Sequence, residues 1–230
     1  MSTLAMITAR GGSKRIPRKN IIDFCGKPII TYSIEAALAS GVFDEVMVST
    51  DDKEIAEVAK AAGASVPFFR SDETSGDYAS TDDVIYEVLM EYEKRGQHFD
   101  SFVCIYPTAP FITKDKLKEA VALLETAESV MPVVAFSYPP QRGIIINEAG
   151  EVRRKYPEYL TTRSQDLEKM YHDCGQFYAC QTDAFLRDKT TDVDNLVPMI
   201  MDEMEVQDID TFEDLAIAEV KYQRMIANRH

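Results

Sequence analysis

Six basic residues, Arg10, Lys14, Arg15, Arg18, Lys19 and Lys27, fall within 18 positions that contain one acid, Asp23, in a chain whose formal net charge is −14. An acidic protein that gathers its cations into one stretch has the makings of an anion site. Inside that stretch, Ala9-Arg10-Gly11-Gly12-Ser13-Lys14-Arg15 follows an apolar run directly. Glycines there let backbone N–H groups approach phosphate oxygens, and Arg10 and Lys14, with Lys19 next, supply charge, which together read as a triphosphate cradle. The P-loop pattern GxxxxGK[ST] and the dinucleotide pattern GxGxxG are both absent. A turn with solvated charge is the plainer alternative, and the density of cations in so acidic a chain argues against it.

A second stretch has the opposite sign. Asp202 to Asp214 holds seven acids and no base. Within it, Gln207-Asp208-Ile209-Asp210 places two carboxylates at i and i+2, so that in an extended segment both point to one face while Ile209 turns to the core. Two hard oxygen ligands at that spacing suit Mg²⁺, which takes one or two carboxylates together with substrate phosphates. The plainer reading is that Asp210 caps a helix and Asp208 is solvated. Should the two stretches meet in space, a metal and a polyphosphate could share them.

The elements that must position these groups follow from periodicity. Leu4–Ala9 is too short for a helix and reads as a buried first strand. Lys27-Pro28 is expected to open a helix running to Ser40, and strand Glu45–Ser49, helix Lys53–Ala62 and strand Ser65–Phe69 complete a βαβαβ unit. Helix Thr81–Lys94, strand Phe102–Tyr106, helix Lys114–Thr126 and strand Ser129–Phe136 extend it, so the first 136 residues describe an α/β, doubly wound sheet with helices on both faces. The rhythm breaks over Ser137–Asp166, an insertion that should cover a site or another subunit; Tyr138, Tyr156, Tyr159 and Ile144–Ile146 are more apolar surface than a solvated loop carries. Strands Gln176–Cys180 and Met199–Gln207 and a closing helix Thr211–Asn228, capped by Asp210 or Thr211, finish the chain. At 230 residues, with 45% hydrophobic and 28% charged residues, a single domain spanning 1–230 is expected and disordered or fibrous classes are excluded. The charge disfavours nucleic acid and anionic membrane as partners, no run approaches the roughly 18 apolar residues of a membrane helix, and Arg10 arrives before a signal-peptide core could form. Cys25, Cys104, Cys174 and Cys180 contain no CxxC pair and read as buried free thiols in a reducing cytoplasm.

The motifs Ala9-Arg10-Gly11-Gly12-Ser13-Lys14, Lys19-Asn20, Gly26-Lys27-Pro28, Val48-Ser49-Thr50-Asp51-Asp52, Pro107-Thr108-Ala109-Pro110 and Asp208-Ile209-Asp210, in this order, resemble the cytidylyltransferases that activate nonulosonic acids, the CMP-sialic acid synthetase family. Tyr106 where the sialic acid enzymes usually carry Gln, and Arg163-Ser164-Gln165-Asp166-Leu167 followed by His172-Asp173 and Gly175-Gln176-Phe177-Tyr178, look like the pseudaminic acid branch. The resemblance implies a Rossmann-like, three-layer αβα nucleotide-diphosphosugar transferase fold with an inserted dimerisation segment. It implies CTP and a nonulosonic acid as substrates, Mg²⁺ as cofactor, and a homodimer whose insertion reaches across to the partner's sugar site. It places Ala9, Arg10, Gly11, Gly12, Ser13, Lys14, Lys19, Asn20, Arg70 and Ser80 around the nucleotide, and Asp208 and Asp210 on the metal. Arg10, Lys14, Lys19, Asp208 and Asp210 would stabilise the charge that develops in transfer. Arg163, as a forked donor for the acid's carboxylate, joins Tyr106, His172 and Gln176 around the sugar. The alternatives are the same chemistry on N-acetylneuraminic or another nonulosonic acid, a non-catalytic nucleotide-binding regulator, and a phosphoprotein-binding module that would have no use for Asp208 and Asp210.

Overall fold

The structure, a computed structural model, describes residues 1–227. Strand β1 (Thr3–Thr8) is buried along nearly its whole length because side chains on both of its faces meet helices. Leu4 and Met6 pack on one side and Ala5 and Ile7 on the other, which is the period-two division expected of a central strand. Helix α1 (Ile30–Ser40) and strand β2 (Glu45–Ser49) follow, and then α2 (Lys53–Ala61), whose first turn is capped by Asp52 accepting from the Glu54 and Ile55 amides. Helix α3 (Thr81–Lys94) carries a reciprocal capping box between Ser80 and Asp83. Next come β3 (Ser101–Ile105), α4 (Lys114–Leu123) and β4 (Ser129–Ala135). Helices α1, α2 and α4 bury their apolar faces against one side of the sheet and α3 against the other, so the expected doubly wound, three-layer arrangement is present.

After β4 the chain leaves the sheet as a small hairpin, β5 (Ile144–Ile146) against β6 (Val152–Arg154), with every residue of both strands exposed. It returns in β7 (Tyr171–Asp173), breaks at Cys174-Gly175-Gln176 with Gly175 at φ +59°, and resumes in β8 (Phe177–Gln181). Both β7 and β8 run antiparallel to β4, and β8 also pairs antiparallel with β3. Helix α5 (Thr182–Asp188), strand β9 (Leu196–Ile200) and helix α6 (Phe212–Ala227) complete the fold. The sheet order is β9-β4-β8-β3-β1-β2, with β7 added beside β4. A third, smaller core of Ile16, Phe24, Ile29, Tyr32, Phe111, Ile209, Leu215 and Ala218 seats α6 against the segment after β1.

Several elements differ from the sequence reading, each for a local reason. Lys27-Pro28 does not open α1: Asp23–Phe24 and Lys27–Pro28 pair across a two-residue turn in which Cys25 and Gly26 both have positive φ, and the helix starts at Ile30. Ser65–Phe69 is not a strand, because Ser65 makes one bridge to Met47 and Pro67 has no amide to continue a ladder. The last strand lies at Leu196–Ile200 rather than Met199–Gln207, at the sheet edge, where Pro198 is tolerated. Thr211 and Asp214 cap the final helix reciprocally, and its expected end at Asn228 lies outside the described residues. Cys104, Cys174 and Cys180 are buried free thiols as expected, whereas Cys25 is exposed at its hairpin turn. In the insertion, Tyr138, Tyr159 and the three isoleucines are exposed, and Tyr156 is half-buried against the Tyr159 ring. No helix among the described residues is long and apolar enough to cross a membrane.

Asp52 caps α2 and also takes a two-pronged contact from Arg18, at 2.5 and 3.0 Å. That guanidinium holds its carboxyl down at about 2. A carboxyl whose folded pKa lies below its unfolded value contributes stability above the unfolded pKa and loses it as pH falls through the folded one. Asp52→Ala is therefore expected to cost about 1 kcal/mol at neutral pH, and the gap to the wild type should close between about pH 4 and pH 2. Paired denaturant titrations across that range check it; a gap that stays constant down to pH 2 removes the ionised cap from the account.

Candidate active site

Two clefts open side by side beyond the carboxyl ends of β1 and β3, the position where open α/β sheets take their ligands. The first, of about 600 Å³, is lined by the residue ending β1 (Thr8), the cationic segment, the start of α3 and the turn after β3. Arg10, Ser13, Lys14, Lys19, Asn20, Arg70 and Ser80 all line it, joined by Arg15 and Asp210. Ala9, Gly11 and Gly12 are not among its lining residues: Ala9 is buried and donates to the Ser49 carbonyl at 2.9 Å. The Gly11 amide donates to Asp51 at 2.8 Å, and a Cβ there would meet the Asp52 carboxylate at 2.9 Å, so this glycine is required by a close approach. A Cβ at Gly12 would meet nothing.

The cations are arranged around carboxylates. Asp77, from the loop before α3, accepts from Arg10 at 3.0 Å and Lys14 at 2.5 Å. These cations lower its pKa, Lys14 first. Asp210 pairs with Arg15 at 2.8 Å and Lys19 at 3.3 Å, and the Lys19 ammonium also donates to the Ile209 carbonyl at 2.7 Å. The cationic and acidic stretches thus meet. The remaining two bases of the cluster serve structure: Arg18 binds Asp52 and Glu54, and Lys27 pairs with Glu35 and covers the Tyr32 ring. Asn20 is buried and donates to the Arg10 carbonyl at 2.8 Å. Arg70 is buried too, its Nε and Nη2 donating to the Ser49 hydroxyl and carbonyl; burial lowers its pKa. Ser80 spends its side chain on the α3 cap.

The second cleft, of about 510 Å³, lies where β7 and β8 part at the Cys174-Gly175-Gln176 break. Tyr106, the residue after β3, lines both clefts. Its hydroxyl lies 3.0 Å from Thr81 Oγ1, burial raises its pKa, and its ring sits edge-on to Tyr178 at 5.8 Å. His172 and Asp208 line this cleft; the His172 ring contacts Phe136, and its Nδ1 lies 2.8 Å from the Asp173 carbonyl. Asp208 and Asp210 therefore straddle the boundary between clefts, with Ile209 buried between them as the alternation requires.

Asp208 reaches solvent on one side, yet the protein around its carboxyl, and secondarily the Asp210 charge, raise its pKa. Two carboxylates at close quarters fit a hard divalent cation. Among the described residues no group of three or more His, Cys, Asp or Glu side chains could complete a cage, so such an ion would take its other ligands from water or phosphate.

Two expected sugar contacts lie elsewhere. Gln176 is buried, is absent from both linings, and donates its Nε2 to the Glu205 carbonyl at 2.6 Å, because its place at the break points it under the Glu203–Glu205 turn. Arg163 is exposed in the insertion and binds Asp166 at 2.7 Å. The sequence reading gave no site role to Asp77 or Thr81, which carry no spacing signal of their own, nor to Asp173 and Tyr178, which it met only as part of the branch motif.

A mixed α/β sheet with a cationic cleft and a second cleft abutting it beyond its strand ends is the architecture of the nucleotidyltransferase class. Residues 4–220 match the family model described as cytidylyltransferase, and the chain belongs to that family of enzymes. It is 43% identical over 225 residues to a pseudaminic acid cytidylyltransferase of Campylobacter jejuni serotype O:2, covering 97% of both chains. It is 34% identical to a CMP-N,N'-diacetyllegionaminic acid synthase of Legionella pneumophila, covering 95% of both. Among solved structures, a CMP:2-keto-3-deoxy-manno-octonic acid synthetase complexed with CTP superposes with a TM-score of 0.70 at 18% identity, over 98% of this chain and 100% of that one, a likeness of fold.

Lys14→Ala removes one of the cations facing the first cleft. It is expected to weaken CTP binding roughly tenfold while changing affinity for the second substrate less. Calorimetric titration of each ligand checks this, and equal losses for both would mean the segment had collapsed.

Proposed function

We propose that the chain transfers CMP from CTP to the anomeric hydroxyl of a nonulosonic acid, pseudaminic acid, releasing pyrophosphate. The observation that carries the reading is the pair of clefts sharing Tyr106 and bounded by Asp208 and Asp210, so that a nucleotide and an acceptor meet at two carboxylates. Arg10, Lys14 and Lys19 would hold the triphosphate and stabilise charge on the α-phosphate and the departing pyrophosphate. Asp208 and Asp210 would hold Mg²⁺, which when bound supplies neutralisation of the polyphosphate charge. The acceptor hydroxyl attacks the α-phosphorus in line as the bond to pyrophosphate breaks, and its proton passes to a base at the boundary of the two clefts. No covalent enzyme intermediate is required, and much of the remaining rate comes from holding the two substrates in register.

The identity of the acid rests on the relative from Campylobacter and on Tyr106. Glutamine at this position would offer one acceptor and two donors, whereas Tyr106 offers one hydroxyl already engaged by Thr81, on a bulkier ring. That wall suits pseudaminic acid, which carries a methyl where N-acetylneuraminic acid has a hydroxymethyl. A non-catalytic regulator is disfavoured because both the cationic segment and the carboxylate pair are intact and in contact.

A homodimer completes the reading. The second cleft is lined by Asp173, Glu203 and Asp208 but, among the described residues, by no lysine or arginine, an unfavourable setting for an acid. Arg163 lies in an insertion bearing exposed Ile144, Ile145, Ile146 and Tyr138, and supplied from a second copy it would bring the missing charge. A light-scattering mass near the 25.9 kDa of one chain at micromolar concentration excludes this assembly.

Pyrophosphate release with each of the four nucleoside triphosphates and a panel of acids tests the whole reading. The expected result is CTP dependence and a kcat/KM preference of at least roughly a hundredfold for pseudaminic over N-acetylneuraminic acid, narrowed by Tyr106→Gln. Equal use of both acids overturns the choice of sugar. Asp210→Asn, which changes charge but not volume, should keep the fold and CTP binding and lose most turnover in saturating Mg²⁺; unchanged turnover removes Asp210 from the mechanism.

A further inference from the structure

The second cleft contains a carboxylate that the transfer chemistry does not use. Asp173 ends β7, immediately before the break in the sheet, and lines the cleft. Its Oδ1 accepts the Gly175 amide at 2.7 Å and its Oδ2 accepts the Tyr178 hydroxyl. Tyr178 in turn is braced edge-on by Tyr106, whose hydroxyl meets Thr81 at the start of α3. Both oxygens of Asp173 are thus tethered by protein donors, through a chain of contacts that reaches the opposite face of the sheet.

A negative charge in a cleft for an acidic sugar costs affinity, and Glu203 and Asp208 already add two. A carboxylate retained there should therefore do something an amide or hydroxyl does less well, which is to accept hydrogen bonds without offering any. About four lone-pair sites are available on its oxygens and two are taken, which leaves capacity for a ligand donor. Val134, Ala135 and Val206 line the same cleft and give it apolar surface. An N–H donor attached to a small apolar group matches that combination, and an acylamino substituent is such a group. A hydroxyl could satisfy the carboxylate but would offer nothing to the apolar lining.

We propose that Asp173 is a specificity-determining residue that accepts the N–H of an acylamino group of the sugar acid, with Tyr178 as the positioning residue that fixes it, so that the cleft selects acids bearing a second acylamino group. This rests on the cytidylyl-transfer reading above. The alternative is that Asp173 only pins the break in the sheet.

The test is steady-state kinetics of the full chain with pseudaminic acid, which has two acylamino groups, and N-acetylneuraminic acid, which has one. In Asp173→Asn the two protein donors compete for a single remaining carbonyl oxygen and the sugar N–H meets an N–H. Expected is a fall of roughly tenfold or more in kcat/KM for pseudaminic acid, a change below about threefold for N-acetylneuraminic acid, and an unaltered KM for CTP. Tyr178→Phe should give a smaller loss of the same selective kind, and the double variant should be no worse than Asp173→Asn, since both act through one carboxylate. Equal losses for both acids, no loss, or additive losses overturn the proposal while leaving the transfer reading intact. Wild-type enzyme that turns over N-acetylneuraminic acid but not pseudaminic acid overturns the choice of sugar and this inference with it.

Discussion

Five cations line one cleft and repel one another; Arg70 is buried against Ser49, and the other four are gathered around carboxylates. Arg10, Lys14, Arg15 and Lys19 are held apart in two pairs, each gathered on a single carboxylate, Asp77 for the first and Asp210 for the second. The backbone that carries them is tied down by two further carboxylates at the end of β2, Asp51 on the Gly11 amide and Asp52 on Arg18. Most of these pairs are open to solvent, where an ion pair contributes little to stability, so their effect is on position. A chain with 39 acids can supply such partners from distant segments. A triphosphate entering this cleft would exchange one set of anionic partners for another, with the cations already gathered.

The second cleft has a different origin, in backbone topology. A sheet of parallel strands alone would close the space between β3 and β4 with another parallel neighbour. Here an antiparallel strand fills it and breaks at Gly175, so β7 follows β4 while β8 crosses to β3. The opening lies at the level of Tyr106, whose amide is fixed by the Gln176 carbonyl and whose own carbonyl accepts from Ser33. One side chain can therefore form the partition between two clefts because its backbone is anchored from both layers.

Periodicity made the layered core legible. Helix Thr81–Lys94 coincides with its expected bounds, and strand Glu45–Ser49 does as well, because apolar spacing, a cap and a turn residue all agree there. The cationic segment and the carboxylate pair were legible for the same reason, as dense local signals. What local patterns could not deliver was the choice of partner. Gln176 sits in a motif that points to the sugar, yet its Nε2 is spent on a carbonyl 29 residues away. Asp77 lies in an ordinary Ser-, Asp- and Gly-rich loop and acquires meaning only through Arg10 and Lys14, more than 60 residues distant. Pro67 and the Cys25-Gly26 turn erred in the other direction: their local consequences were present in the sequence but outweighed by the apolar residues around them.

The joint between the cationic and acidic segments combines forces of different kinds. Asp210 reaches Arg15 and Lys19 by charge, but the segments are also joined by burial: Ile16 and Ile209, one from each, lie in the same small core beneath α6. The Lys19 ammonium further donates to the Ile209 carbonyl, a bond that does not depend on the state of Asp210. Apolar contact is indifferent to a change of ionic partner, whereas an ion pair is not. Were Asp210 to exchange Arg15 and Lys19 for another cation, as the proposed function requires, the two segments would stay joined through Ile16 and Ile209. A joint made of ion pairs alone would loosen under such an exchange; one that also rests on buried isoleucines would confine it to the side chains and leave the backbone where the core holds it.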